Sequence, residues 1–341
     1  MTRVFCNPAG QRDNLGDSVL RRPYLAALRN AGDLHVLVGS DADYASGLGI
    51  AEGDTVYVSR VRWLAGAGAA AVRGKLTFAA NAGEYVGSPR EWCRSLWQPM
   101  LAVAARVSGG SVVLGGASLR PGTRAAWTHL RLISRLAGFV TWRDRDSRDQ
   151  IGHGDVQPDW AFVYGGEHQE TERWTIAVVM RGDRPAPQAD WFDAVTALAR
   201  ERQARIVVLV QVRRDLERAQ DLAEALDATV LPWPAEANHR DHEESVRQFY
   251  RTCSHVISDR IHALIIGATE GAVPLAFSTT NPTKIDRTFA SVSTRRLTYV
   301  PQGLASGRLG AQDDVVRDVS AAAEVVETAA ARLTAAIAGA G

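Results

Sequence analysis

Trp174-Thr175-Ile176-Ala177-Val178-Val179-Met180 is a run of apolar, largely β-branched residues, and it opens a series of such runs separated by amphipathic stretches. From it the spacing predicts a strand over 174–180, a helix over 190–203, a strand over 205–212, a helix over 216–226 and a strand over 228–231. A helix at about 242–251, a strand over 255–257, a helix from about 260 to 270 and a strand over 273–277 follow. Strands that are continuously apolar and alternate with helices imply a parallel sheet covered on both faces.

The N-terminal half repeats this rhythm less cleanly. Strands are expected over 3–6, 34–38, 55–58, 111–114 and 139–142, with helices over 15–31, 92–107 and 125–136. A chain of 341 residues exceeds what one core usually organises, so two domains are expected. The fold class is therefore α/β: two Rossmann-like doubly wound domains in a GT-B-like arrangement, with the active site in the cleft between them. The expected divisions are residues 1–165, 166–318 and a C-terminal helix over 319–341, with Gly152–Arg173 as the linker, rich in Gly, Asp and Glu.

Composition narrows the function classes. A formal net charge of +1 offers no overall electrostatic case for nucleic acid or an anionic membrane as the main partner. Lys75 and Lys284 are the only lysines. Cys6, Cys93 and Cys253 are scattered, with no zinc or disulfide spacing, and read as reduced thiols. The start of the chain lacks the apolar run of a signal peptide, and no later stretch approaches a membrane span, so a cytoplasmic protein is expected.

The candidate chemistry lies where strands end, because ligands of open α/β sheets bind at the carboxyl edge. Ser258-Asp259-Arg260-Ile261-His262-Ala263 sits between a strand and a helix, where Arg260 and His262 would face an anion at the helix N-terminus. Equally, Ser258 and Asp259 cap a helix and Arg260 is a surface residue. Asn281-Pro282-Thr283-Lys284 follows the next strand and brings Lys284 to the same edge, or leaves it exposed in a turn. Asn14-Leu15-Gly16-Asp17 follows the first strand: the backbone beside Gly16 can approach a phosphate or sugar, while Asp17 caps a helix or holds a hydroxyl. Gly115-Gly116-Ala117-Ser118 reads as a glycine-rich ligand loop or an ordinary turn. Arg143-Asp144-Arg145-Asp146-Ser147 reads as a ligand element or a salt-bridged surface.

Taken in order, these elements, with Val273-Pro274 after the R-I-H-A block, resemble the polysaccharide pyruvyl transferases over residues 14 to 290. The resemblance implies an enzyme of cell-surface glycan synthesis that transfers a pyruvyl group from phosphoenolpyruvate to a sugar diol as a ketal. It implies Arg260 and Arg143 on the donor's carboxylate and phosphate, His262 as proton shuttle and Lys284 on the leaving phosphate. Asn14, Gly16, Asp17, Gly115, Gly116 and Ser118 complete the substrate site. No metal or cofactor is implied. The partners would be phosphoenolpyruvate and a saccharide acceptor, and a lipid-linked acceptor would bring the protein to the inner membrane face. The alternatives are a GT-B glycosyltransferase using a nucleotide sugar, for which Glu270 would contact the ribose, and a non-catalytic glycan-binding module. A nicotinamide oxidoreductase lacks its glycine fingerprint, since Asn7-Pro8-Ala9-Gly10 follows the first strand.

Overall fold

A computed structural model describes residues 2–74, 76–165, 172–276, 283–292 and 312–339. The chain forms two compact units, one of residues 1–11, 17–160 and 325–341, the other of residues 12–16 and 161–324.

The first unit is built on a parallel sheet of β1 (Arg3–Cys6), β2 (Asp33–Leu37), β3 (Thr55–Tyr57), β4 (Leu76–Ala80), β5 (Gly83–Tyr85), β6 (Val112–Leu119), β7 (Phe139–Trp142) and β8 (Asp155–Val156). Their order is β3-β2-β1-β4-β6-β7-β8, with β5 paired to the far end of β6. The helices are α1 (Leu15–Arg29), α2 (Ala42–Gly47), α3 (Arg60–Val72), α4 (Pro89–Ser95), α5 (Trp97–Val107), α6 (Thr128–Leu136) and α7 (Arg145–Ile151). Trp63 and Ala67 of α3, Leu101 and Ala105 of α5 and Ile133 of α6 share one core with Phe5, Phe78, Leu114 and Trp142 of the sheet. These three helices therefore form one layer on one sheet face.

The second unit has the parallel order β11-β10-β9-β12-β13, from β9 (Thr175–Val179), β10 (Arg205–Leu209), β11 (Thr229–Leu231), β12 (Cys253–Ser258) and β13 (Val273–Ala276). Pro274 is accommodated because β13 is an edge strand. The helices are α8 (Ala189–Glu201), α9 (Leu216–Ala225), α10 (His239–Arg251), α11 (Ile261–Thr269) and α12 (Thr283–Phe289). A last helix, α13 (Gln312–Ala338), contributes its first part to this unit and its remainder to the first.

Two expectations from the sequence change. The helix expected over 92–107 is two helices, α4 and α5, with Leu96 as the joint, and α4 starts earlier, where Ser88 accepts from the Glu91 N–H and Pro89 takes the first helical position. The expected glycine loop at 115–118 is strand interior, because β6 runs through to Leu119 and every residue of it is buried. The pairing with β7 slips between Leu114 and Ala117, so Gly115 and Gly116 form an irregularity inside the sheet. Gly116 has φ +69°, its N–H donates to Thr141 Oγ1 at 2.9 Å, and a Cβ there would stand 2.4 Å from the Trp160 indole.

Gly116→Ala therefore meets both backbone strain and overlap with Trp160, and is expected to cost about 2–4 kcal/mol. Gly68→Ala, in α3 with nothing within 4 Å of the new methyl, is expected to stabilise by about 0.5–1 kcal/mol. Calorimetric melting of both variants checks the pair: Gly116→Ala should melt lower than wild type and Gly68→Ala at or above it.

Candidate functional site

In the second unit the first strand, β9, lies between β10 and β12, so the connections diverge where β9 and β12 end side by side, with Val179 opposite Ser258. This is the topological switch point at which open α/β sheets take their ligands. Ser258 locks the geometry: its hydroxyl donates to the Val179 carbonyl at 2.5 Å and accepts the Arg260 N–H at 2.8 Å. Arg260 thus keeps an extended backbone, φ −100° and ψ 117°, immediately before α11.

Three strand-end loops converge on two carboxylates. Asp215, buried just before α9, accepts the Gly182 N–H at 2.9 Å and pairs with the Arg260 guanidinium. Asp259 accepts the Arg181 N–H at 2.9 Å, and burial pushes its carboxyl up to about 6 against the pull of that N–H and of the Arg260 and Arg181 charges. Arg181 chelates Asp183 through two bonds of 2.7 and 2.6 Å, and that arginine holds the Asp183 carboxyl down at about 2.

The Asn14 segment belongs to this same site. Asn14 bridges to Val212 in antiparallel fashion, the Leu15 N–H donates to the Gln211 carbonyl, and Asp13 accepts the Arg213 N–H and pairs with the Arg214 guanidinium. His239 Nε2 lies 2.7 Å from the Arg12 carbonyl. Asn14 Oδ1 accepts the Gly16 N–H at 3.1 Å, turning the backbone over the start of α11. A Cβ on Gly16 would stand 2.5 Å from His262 Cβ and Nδ1, so only glycine lets this backbone lie against the imidazole, which is buried. The structure therefore brings Asn14, Gly16, Arg260 and His262 together. Lys284 is half-buried in the first turn of α12, after the adjacent strand β13, while Asn281 and Pro282 lie outside the described residues.

The remaining candidates do other work in the first unit. Arg143 is buried, donating to Ser118 Oγ at 2.8 Å and to Asp159 at 3.0 Å, so its fork is engaged in an internal ion pair rather than offered to a ligand. Asp144 caps α7 by accepting from the N–H and hydroxyl of Ser147, both at 2.8 Å. Gly115 and Gly116 are packed against Tyr24 and Trp160. Asp17 accepts the Gln11 N–H at 2.7 Å and pairs with the buried Arg21 at 3.1 Å, while Arg21 also donates to Asn81 Oδ1 at 3.0 Å, fixing the loop after β1. Glu270 lies at the far end of α11 from Arg260, bound by Arg247 at 2.7 Å and Arg251 at 2.8 Å, which removes it from any ribose at the carboxyl edge. No group of three His, Cys, Asp or Glu side chains among the described residues could hold a metal ion.

Asp215 is the residue that sequence reading passed over as a site member. It sits in the turn between β10 and α9, and Arg181-Gly182-Asp183 and Arg213-Arg214-Asp215 share a pattern of arginine and acid at a turn. That repetition was the available signal.

No protein-family model and no curated protein sequence matches the chain. Solved structures do share its fold. One is Staphylococcus aureus MnaA with UDP, 11% identical, TM-score 0.56, covering 94% of this chain and 91% of that one. A second is a UDP-N-acetylglucosamine 2-epimerase from Listeria monocytogenes described by its structure as putative, 12% identical, TM-score 0.54, covering 98% and 91%. A third is Anabaena Alr3699/HepE in complex with UDP and glucose, 11% identical, TM-score 0.53, covering 99% and 98%. The chain thus has the two-domain, parallel-sheet α/β fold of the GT-B type. The neighbours are UDP-sugar proteins and not pyruvyl transferases, which overturns the pyruvyl-transferase reading and, with it, phosphoenolpyruvate as donor. The R-x-H-A block is short enough to recur wherever a strand end, a cap and a helix start present an arginine and a histidine together.

Because the folded Asp259 is more basic than an ordinary aspartate at 3.8, its protonated form is favoured by folding, and stability is lost as pH rises from about 3.8 towards about 6. Asp259→Asn keeps an acceptor for the Arg181 N–H and cannot ionise. Its melting temperature should exceed that of wild type at pH 8, with the gain shrinking towards pH 4; equal curves at both values would contradict the assignment.

Proposed function

We propose that this chain is an enzyme of nucleoside-diphosphate sugars, with the diphosphate bound at the carboxyl edge of the second unit's sheet. The observation that carries this reading is the Arg260 guanidinium, held by Asp215 at the switch point beside the N-terminus of α11 and the Gly182 turn. A fork-shaped cation at a helix start fits a diphosphate, and both are electrostatically suited to it. The fold it shares with proteins solved with UDP supports the same ligand class.

In this reading the reaction breaks the bond between the sugar's anomeric carbon and the diphosphate oxygen. The electron pair leaves with the nucleoside diphosphate, and Arg260 stabilises the charge that develops there, as a preorganised cation does. Asp215 is a positioning residue: it fixes the guanidinium and, through the Gly182 N–H, the loop after β9. His262, held against Gly16, serves the sugar by exchanging a proton with a hydroxyl near the anomeric centre, work for which an imidazole is suited at neutral pH. Lys284 adds positive charge to the same edge. The hydroxyl oxygen of an acceptor saccharide forms the new bond to the anomeric carbon as the old one breaks, and its proton passes to His262.

Calorimetric titration with UDP and with UDP-sugars tests the reading. Wild type should bind UDP, and Arg260→Ala should weaken binding at least tenfold, since losing one charge-assisted contact costs about 1.5–3 kcal/mol. Asp215→Asn should weaken it less. Silence of the wild type toward UDP and every UDP-sugar tried would overturn the proposal.

A further inference from the structure

The near-neutral total conceals a separation of charge. Residues 55–142 hold eleven Lys and Arg against two acids, Glu84 and Glu91, a balance of +9, which leaves −8 for the remainder of a chain whose total is +1. From Trp92 to Trp142 there is no Asp or Glu. This basic stretch spans α3 to α6, of which α3, α5 and α6 layer one face of the first unit's sheet.

The outward faces of two of its helices, α3 and α5, are apolar. On α5 and the residue before it, Leu96, Met100, Val103 and Val107 recur at intervals of four, three and four, so they form one stripe, and all four are exposed, Met100 by 72% and Val107 by 82%. On α3 the same intervals give Val61, Ala65, Gly68 and Val72, again exposed, with Val61 at 76% and Val72 at 91%. A surface helix of a water-soluble domain ordinarily turns charged and polar residues outward at these positions. The opposite stripes, Trp63, Ala67 and Ala70 on α3 and Leu101, Ala102 and Ala105 on α5, are already buried against the sheet. Both helices are therefore apolar on two sides, and none of the described residues covers the second side. Exposed arginines flank the stripes: Arg62 on α3 and Arg73 just after it, Arg90 on α4, Arg106 on α5.

We propose that this face docks peripherally on an anionic lipid bilayer, with the α3 and α5 stripes entering the headgroup boundary and the arginines meeting lipid phosphates. Apolar residues flanked by basic ones, with the exposed Glu91 of α4 paired to Arg94, match such a surface in both hydrophobicity and charge. A second copy of this chain would bring like charge against like charge. A nucleic acid would find few hydrogen-bonding groups at the centre of the face. No helix among the described residues is long and apolar enough to cross a membrane, so attachment would lie at the surface. The proposal is independent of the nucleotide-sugar reading, since it concerns neither Arg260 nor the second unit.

Co-sedimentation of the full chain with phosphatidylcholine vesicles, with and without phosphatidylglycerol, tests it. Wild type should pellet with the anionic vesicles, far less with the neutral ones, and less as salt screens the arginines. The double substitutions Met100→Glu with Val103→Glu, and Arg62→Glu with Arg106→Glu, should each lower the partition about tenfold or more. Met100→Ser with Val103→Ser guards against a folding defect and should show an intermediate loss. All variants should keep the wild-type melting temperature and UDP titration, because the substituted side chains are exposed and lie outside the nucleotide site. Failure of wild type to pellet with anionic vesicles, or apolar variants that pellet as wild type does, would overturn the proposal. So would equal displacement by a short DNA duplex, which would make the face a general polyanion binder.

Discussion

The Asp215 carboxylate is the constraint on which the candidate site depends. One oxygen takes the Gly182 N–H after β9 and the other the Arg260 guanidinium after β12, while its own backbone leads from the β10 connection into α9. Three loops that the sheet merely brings to one edge are thereby fixed to one another. A buried carboxylate with two such partners has its desolvation offset, whereas either partner removed would leave a charge stranded. The same bond aims the Arg260 fork and partly neutralises it before any ligand arrives, which in the nucleotide-sugar reading proposed above makes it a preorganised donor.

Around that centre, charges of both signs are packed closely. Arg181 is spent on Asp183 and Arg214 on Asp13, so the positive charge apparent in the sequence is largely compensated locally. Arg260 differs in that its carboxylate partner is shared with a backbone N–H. Distinguishing arginines by what holds them, rather than by where they fall in the sequence, is what separates Arg260 from Arg143, whose fork is closed inside the first unit by Ser118 and Asp159.

How far the sequence could be read follows from these particulars. Strands such as Thr175–Val179 and Arg205–Leu209 were legible because strands buried on both faces are unbroken apolar runs, and the alternation with helices identifies a parallel α/β fold. Leu76–Ala80 escaped because two of its residues are alanine and one is threonine, which does not distinguish a buried strand from a helix. Gly115-Gly116 misled because glycines that admit a neighbouring indole look, in sequence, like glycines that admit a phosphate. The convergence of Gly16 on His262, 246 positions away, had no local signature at all. Arg260 and His262 were found because an arginine and a histidine at a strand end are informative without partners; Asp215, whose meaning lies entirely in what it touches, was not. The resemblance to pyruvyl transferases rested on those same short blocks, which mark where a strand ends and a helix starts but do not identify a family.

The division of the chain has a consequence for its biogenesis. The first unit contains residues 1–11, 17–160 and 325–341, and the second contains 12–16 together with 161–324, so neither is one uninterrupted segment. As the polypeptide emerges from the ribosome, the first unit has its whole sheet by residue 160 yet waits for the closing half of α13, and the second unit receives its earliest strip of backbone before any of its strands exists. Synthesis of residues 325–341 is thus what completes the first unit, and a chain that stops short of them would present that unit without the closing half of α13 to the cell's quality control.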